Sequence, residues 1–318
     1  MFSTTSSATL NEIKAEIYSA FDPTTWVLTW LPTWLERWLQ QVLSIPLNPS
    51  KRLYWGYLLA SVVIVGCWWA WHHKRPSWRR IYRTFLDPSY WFNRSSAVDA
   101  GLLFTNTALR VAILVPLFGS HLFATIWVAR TLNFHFDSPP ILAVPAWSVM
   151  LMYTAVFFIL EDFSRFYLHR VMHRVPWLWR FHRVHHSATN LTPLTLHRIH
   201  PLEMSLYYCR GLIVFAGVSG VFVYFAGKKL SGLSILGVDA LGFIFNLIAA
   251  NLRHSNIRLG FGRFERWFIS PAQHQIHHSA AAAHRDRNFG TCLAVWDRYF
   301  NSWTSSFKVS TLRFGLSE

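Results

Sequence analysis

Three short runs of histidine dominate the chemistry this sequence could perform. His169-x-x-x-His173 lies in EDFSRFYLHRVMHR, His182-x-x-His185-His186 in LWRFHRVHHS, and His274-x-x-His277-His278 in PAQHQIHHS. On an α-helix, residues i, i+3 and i+4 share a face, so each run presents its imidazoles together. Imidazole suits iron, zinc, copper and nickel. The eight clustered histidines exceed the roughly four to six ligands that one such ion accepts. Two metal ions are the economical reading. A solvated histidine tract would not repeat His-x-x-His-His twice, each time followed by Ser. By contrast, His72, His73, His121 and His135 sit singly or at the ends of apolar runs, and are read as hydrogen-bonded or interfacial residues.

Carboxylates inform by their scarcity. No Glu-x-x-His pair occurs, which sets the chain apart from soluble di-iron bundles. No His is followed by Glu, so the zinc-peptidase motif is excluded. Asp162, seven residues before His169, and Glu203, shortly after His200-Pro201, are expected to orient ligand imidazoles through their other ring nitrogen. An ion pair with Arg165 is the competing role for Asp162. No side-chain nucleophile is evident.

The elements that must carry these histidines are apolar. The 318 residues are 52% hydrophobic and 14% charged, against about 25% charged in a soluble domain. Candidate membrane spans are Tyr54–Trp71, Gly101–Gly119, Ile141–Leu160, Leu206–Ala226 and Leu233–Leu252. Arg110 and Arg210 fall within two of them and must face the bundle interior or a headgroup layer. Thr25–Ile45, interrupted by Pro32, reads as an interfacial amphipathic helix. The expected fold is all-α and integral to the membrane, with about four to five transmembrane helices and a cytoplasmic-side helical cap carrying the histidines. Residues 1–53 form an N-terminal tail and interfacial helix, and 54–318 a single membrane domain.

The net charge of +15 would suggest nucleic acid in a soluble protein. Here the basic residues lie between apolar runs, where they meet headgroups and set orientation, so no nucleic-acid partner is expected. His72–Arg94 carries six Lys/Arg, Glu161–Ser205 six and Arg253–Glu318 nine, whereas Ser120–Pro140, read as a loop, has one and the turn at Lys228–Lys229 two. By the positive-inside rule the three basic regions share the cytoplasmic side, and crossing parity agrees. Arg75–Arg94 reads as a headgroup-contacting segment. Cys67, Cys209 and Cys292 form no CxxC pair, so neither a disulfide framework nor a thiolate zinc site is indicated. The N-terminus does not look like a secretory signal.

The three boxes at these intervals, the intervening HPLE, and the later NFGTCLAVWDRYFNSW resemble the fatty acid hydroxylase/sterol desaturase superfamily of membrane di-iron oxygenases. The similarity runs over roughly residues 158–303, the histidine-box core. It implies two irons, held by His169, His173, His182, His185, His186, His274, His277 and His278, that use O₂ to oxidise an unactivated C–H bond. His254 matches an additional ligand position, His200 a commonly shared position with a weaker claim, and His197 a less secure one. Where some relatives carry a second ligand one turn before His254, this chain has Ala250, which implies reduced or water-completed coordination of one metal. His284 is expected not to ligate.

The resemblance also implies a membrane lipid substrate, a fatty acyl chain of a polar lipid or a sterol, and electrons from a separate donor protein. Zinc is an adventitious occupant to anticipate. The residue pattern does not separate hydroxylation from desaturation, and it leaves the oligomeric state open. A histidine-rich transporter would place its ligands within spans, and a membrane zinc hydrolase would need one zinc and a carboxylate base. Arg165, Arg183 and Arg198 are candidates for holding an anionic headgroup. The membrane would be the bacterial inner membrane or the endoplasmic reticulum.

Overall fold

The computed structural model describes residues 23–72, 87–137, 144–226, 234–235, 238–307, 309 and 312–316. Helices supply nearly all its regular structure: α1 (Pro23–Leu43), α2 (Trp55–His72), α3 (Arg94–Leu109), α4 (His121–Phe136), α5 (Ala146–Arg174), α6 (Pro176–His186), α7 (Pro201–Ala226), α8 (Ala240–Phe245), α9 (Pro271–His277) and α10 (Val295–Tyr299). α3 continues through a π turn, Arg110–Leu114, to Phe118, and α8 through a π turn, Asn246–Ala250, to Arg253. Two-residue strands Ser234–Ile235 and Val238–Asp239 pair antiparallel just before α8.

Local chemistry sets the boundaries. Asn93 caps α3 by accepting from Ser96 N–H, and Ser120 caps α4 by accepting from Phe123 N–H. Gly119, at φ +75°, ends the preceding helix in a conformation that glycine adopts readily. α5 and α6 share a single hinge residue. Pro176 cannot continue α5 and disfavours helical backbone at Val175, which sits at φ −98°, ψ 113°. The same proline then starts α6 at its first position.

Among the described residues, three helical runs are long and apolar enough to cross a membrane: Arg94–Phe136, Ala146–Arg174 and Pro201–Ala226. They make this an integral membrane protein, and their outward faces carry exposed Phe104, Leu117, Trp127, Leu151, Ile159, Ile213 and Phe225. Trp55–Trp71 and Ala240–Arg253 are apolar but shorter. These two shorter helices fall on the expected spans Tyr54–Trp71 and Leu233–Leu252. The apolar stretch Leu233–Leu252 becomes helical only at Ala240, where Asp239 caps it by accepting from Gly242 N–H. Ser120–Pro140 is not a loop: α4 occupies most of it, separated from the preceding helix by Gly119 and Ser120 alone. Pro32 lies within α1 without interrupting it. His73, residues 75–86 of the basic–aromatic segment and Lys228–Lys229 lie outside the described residues.

Hydrogen bonds give the helix directions. Tyr208 Oη donates to Gly119 O (2.7 Å) and Tyr224 Oη to Asp137 O (2.9 Å), so α4 runs parallel to α7. Tyr153 Oη lies 2.9 Å from Ser219 Oγ, and Arg210 pairs with Glu161, so α5 runs antiparallel to it. Gly220 lets α4 come close: a Cβ there would stand 2.5 Å from Val128 Cγ1. Small residues perform this service between membrane helices, where packing and not the hydrophobic effect holds neighbours together.

One buried pair ties the span beginning at α3 to the histidine-bearing half. Asp99, fully buried, accepts from Arg198 Nη1 (3.0 Å) and Thr195 Oγ1 (2.7 Å). Removing one partner of such a pair leaves an uncompensated buried charge and costs about 3–5 kcal/mol. Asp99→Ala should lower thermal stability in detergent by that order, measured as a loss of unfolding temperature, while Arg183→Ala on the exposed face of α6 should change it little.

Candidate metal centre

The spacing that puts imidazoles on one helix face also aims them at each other across four elements. His169 and His173 come from α5, His182, His185 and His186 from α6, His274 and His277 from α9, with His278 at its C-cap, and His254 immediately after α8. α9 is short but firmly started: Ser270 and Gln273 form a reciprocal capping box, with Pro271 at the first helical position.

Two groups result. His169, His173, His182, His186 and His277 form one, and His185, His254, His274 and His278 the other, with one ring nitrogen from each member within 4.8 Å of those of its group. In the first, His182 Nε2 lies 3.1 Å from His169 Nε2 and 3.2 Å from His186 Nε2. In the second, His254 Nε2 lies 3.1 Å from both His278 Nε2 and His274 Nε2. Two nitrogens bound to one ion at about 2.0–2.1 Å stand roughly 3.0–3.4 Å apart at right or tetrahedral angles. The residues therefore fit a metal ion in each group. His173 Nε2 and His277 Nε2 are buried with no hydrogen-bond partner, a costly state that a metal ion would relieve.

The outward ring nitrogens are fixed one by one. Nδ1–H of His169 donates to Phe289 O (2.8 Å), that of His277 to Arg287 O (2.8 Å), and that of His185 to Arg198 O (3.2 Å). His182 Nδ1–H donates to Glu203 Oε1 at 2.8 Å. Each of these bonds puts the proton on Nδ1 and turns the Nε2 lone pair inward. His274 differs. Its Nδ1 faces Arg253 Nη2 at 2.7 Å, and a guanidinium can only donate, so the neutral ring carries its proton on Nε2, and a metal ion binding there must displace it. The four-histidine group thus adjoins a fixed cation, and the five-histidine group a carboxylate.

Burial keeps these rings neutral. It holds His182 and His185 down at about 3, and, with the mutual repulsion of neighbouring rings, keeps His186, His277 and His278 well below the ordinary histidine value. Neutral imidazole is the form that binds metal.

The carbonyls of Arg287 and Phe289 are themselves held in place. Asp297 accepts from the N–H groups of Phe289 (2.8 Å) and Gly290 (2.7 Å) and from Ser302 Oγ (2.6 Å). Asp162 accepts from the N–H groups of Cys292 (2.8 Å) and Leu293 (3.1 Å) and from Trp296 Nε1 (2.9 Å). Asp162 therefore touches no imidazole: it fastens the loop whose carbonyls do. Gly290 is required there, since a Cβ would meet Asp297 Oδ2 and Leu293 O at 2.8 Å.

The other expected residues are distributed unevenly. Glu203 lies against His182 Nδ1, at 2.8 Å. His200 stands outside both groups, with its Nδ1 accepting from Leu202 N–H at 3.1 Å. His284 lies apart, beside Ser279 Oγ, and His197 lines a neighbouring cavity. Arg165 pairs with Glu161 at 2.7 Å and not with Asp162. Arg198 is buried, bonded to Asp99, Ser95, Ser187 and Val184 O, which leaves no face for a headgroup. Arg183 lines an opening beside His173, Trp179 and His186. Arg253 and Asp297 escape sequence reasoning altogether. Arg253 adjoins His254, but nothing local says that it reaches His274.

Comparison with known proteins agrees with this geometry. Residues 154–302 match the fatty acid hydroxylase family. The chain is 26% identical to the ornithine lipid hydroxylase OlsE of Rhizobium tropici over 50% of its own length and 44% of that protein's. It is 25% identical to the alkylglycerol monooxygenase of Homo sapiens over 55% of this chain and 33% of that one. A cholesterol 25-hydroxylase-like protein of Caenorhabditis elegans is 38% identical over 25% of the chain and 24% of its own length. The chain thus spans less than half the length of the curated relatives it matches first. No solved structure matches it.

Two outcomes follow. Glu203→Gln should weaken metal binding by about 10- to 100-fold, read by metal analysis after dialysis against a graded chelator, whereas His200→Ala should leave metal content unchanged. Because the buried rings titrate below the ordinary histidine value of about 6.5, the unfolded chain binds more protons than the folded one between there and about 3. Stability of the metal-free protein should be full above that window and fall steadily as pH drops through it, and a flat pH–melting profile would contradict neutral burial.

Proposed function

We propose that the chain, whose residues 154–302 match the fatty acid hydroxylase family, is a membrane oxygenase that hydroxylates a lipid with O₂ and external electrons. The observation that carries this reading is the pairing of two adjacent histidine groups, each fit for a metal ion, with a cavity that touches both. That cavity, of about 170 Å³, meets His169, His182, His185 and His254, and its wall mixes Leu196, Ile199, Tyr207 and Ala250 with Arg52, Arg165 and Arg253. The metals in this reading are two irons, with zinc an adventitious occupant. When bound they supply the redox chemistry that activates O₂; the protein binds the lipid, orients it and excludes water.

The division of labour among residues follows from the geometry. His169, His173, His182, His186 and His277 hold one iron, and His185, His254, His274 and His278 the other. Ala250 lines that cavity, and its small side chain leaves room beside the four-histidine group. A second opening of about 370 Å³, lined by Trp179, Arg183, Arg285 and Asp286, is polar and suits exchange with water and with a separate electron-donor protein. The count of basic residues supports a cytoplasmic location for the histidine groups. Residues 54–318 then act as one oxygenase domain.

Reconstitution with ferrous iron without oxygen, followed by addition of O₂ and lipid extract, tests the reading. The expected result is two irons per chain, O₂ consumption, and a lipid product heavier by one oxygen atom. A product lighter by two hydrogens would instead make the chain a desaturase. One stoichiometric zinc and activity without O₂ would overturn the oxygenase. Ala250→Phe should fill the cavity that touches both histidine groups and lower kcat/KM at least tenfold, with metal content retained.

A further inference from the structure

A second cavity, of about 360 Å³, opens among α1, α3, α5 and α7, and its charge is out of balance. Lys51, Arg110, Arg165 and Arg210 line it against a single carboxylate, Glu161. That carboxylate is already shared: Arg165 Nε donates to its Oε1 at 2.7 Å, Arg210 Nη1 to its Oε2 at 2.7 Å and Arg210 Nη2 to its Oε1 at 2.8 Å. Arg110 rests over the Tyr208 ring, 5.6 Å from its centroid, and no carboxylate among the described residues pairs with it. Among the described residues, Lys51 Nζ reaches only the amide oxygen of Gln41, at 3.3 Å. Burial, and then the charge of Arg110, holds the Lys51 amine below its ordinary value. Unneutralised cations within membrane helices are expensive and mark sites of function.

The backbone is also unusual at this place. α3 widens into a π turn beginning at Arg110, and such turns concentrate at functional sites. The rest of the cavity wall mixes apolar Leu103, Phe157, Met204 and Phe215 with polar Asn106, Thr107, His121 and His197. It shares Arg165, Ile199 and Tyr207 with the cavity that reaches the histidines. On α5, Glu161 precedes His169 by two turns and Arg165 by one, which is about 12 and 6 Å along the axis.

We propose that this cavity, through Lys51 and Arg110, seats an anionic, phosphate-bearing lipid headgroup, so that the substrate class is an anionic lipid and not a neutral one. The inference rests on the oxygenase reading for the word substrate, but the binding site stands apart from it. A headgroup held there directs its chain past Ile199 and Tyr207, and brings the carbons nearest the headgroup, not the terminal methyl, to the histidine groups. A phosphate neutralises the cations that Glu161 cannot reach, and bidentate or forked donation suits phosphate oxygens.

The test is equilibrium binding to the full-length, metal-free protein in an uncharged detergent, read by native mass spectrometry. The probes are phosphatidylglycerol, diacylglycerol of the same chains, and inorganic phosphate. The expected result is at least tenfold preference for phosphatidylglycerol over diacylglycerol, abolished by Lys51→Gln/Arg110→Gln and restored when Lys51 and Arg110→Lys are present together. Metal uptake by the double variant should equal that of the wild type, which separates loss of the site from misfolding. Equal binding of charged and neutral lipid, or a preference that survives the double substitution, overturns the proposal. Inorganic phosphate displacing the lipid at equal concentration would show a free-anion site and overturn it as well. Because no turnover is read, a preserved lipid preference with no oxygenase activity would fault the proposed function and leave the headgroup site standing.

Discussion

Everything in the histidine-bearing half answers one requirement: a buried neutral imidazole has two nitrogens, and both need partners. Nine such rings are packed where water is scarce. Facing inward, their nitrogens meet at the separation that ligands of a common ion adopt. Facing outward, four of them donate to Phe289 O, Arg287 O, Arg198 O and Glu203. The loop over residues 286–304 has no helix or sheet to stiffen most of it. It is stiffened instead by Asp162 and Asp297, which collect its backbone N–H groups, and by Asn288, which bonds to Gln273 O and to both Thr304 N–H and O. The core of this half is consequently polar, an expensive way to fill a protein interior, and its cost is only partly met by protein partners, since His173 Nε2, His254 Nδ1 and His277 Nε2 have none.

The membrane half solves the opposite problem with few charges. Asp99 pairs with Arg198 and Glu161 with Arg210 across separate stretches of chain, while Arg165 shares Glu161 from within the same helix. Each lies where a membrane helix meets the histidine-bearing half or lines a cavity. Burying a pair contributes little net stability, but it is directional, and apolar contacts between helices in lipid are not. These pairs therefore fix how far α3, α5 and α7 slide relative to one another, and so where His169, His173 and the start of α7 stand.

The parts legible in the sequence are those governed by periodicity. His182, His185 and His186 fall on one face of α6 because helix geometry leaves no other arrangement, and the same holds for the runs on α5 and α9. His254 was reachable only through resemblance, since one histidine after an apolar stretch has no period. Hydropathy located α2, α5 and α7 but began Leu233–Leu252 too early, where Asp239 delays the helix, and misjudged Ser120–Pro140, where Gly119 and Ser120 merely separate two helices. Charged residues were the least legible. Arg198 looks exposed in LHRIHP, yet its partner Asp99 lies a hundred residues earlier in the chain. Asp162 sits close to His169 on the helical wheel, yet it turns to Cys292 and Leu293. Long-range pairing of this kind leaves no local pattern to read.

The single hinge residue Val175 has a mechanical consequence. α5 is 29 residues of uninterrupted helix, about 43 Å at 1.5 Å per residue, anchored in lipid at one end and carrying two imidazoles at the other. α6 hangs from it by one residue and carries three more. α9, by contrast, is fastened to the loops of the polar half and has no root in the bilayer. A tilt of α5 would therefore carry five rings with it, and Asp162, bonded to Cys292 and Leu293, draws the loop beside α9 along. The same carboxylate that fastens the loop thus keeps the rings of α5, α6 and α9 in one frame.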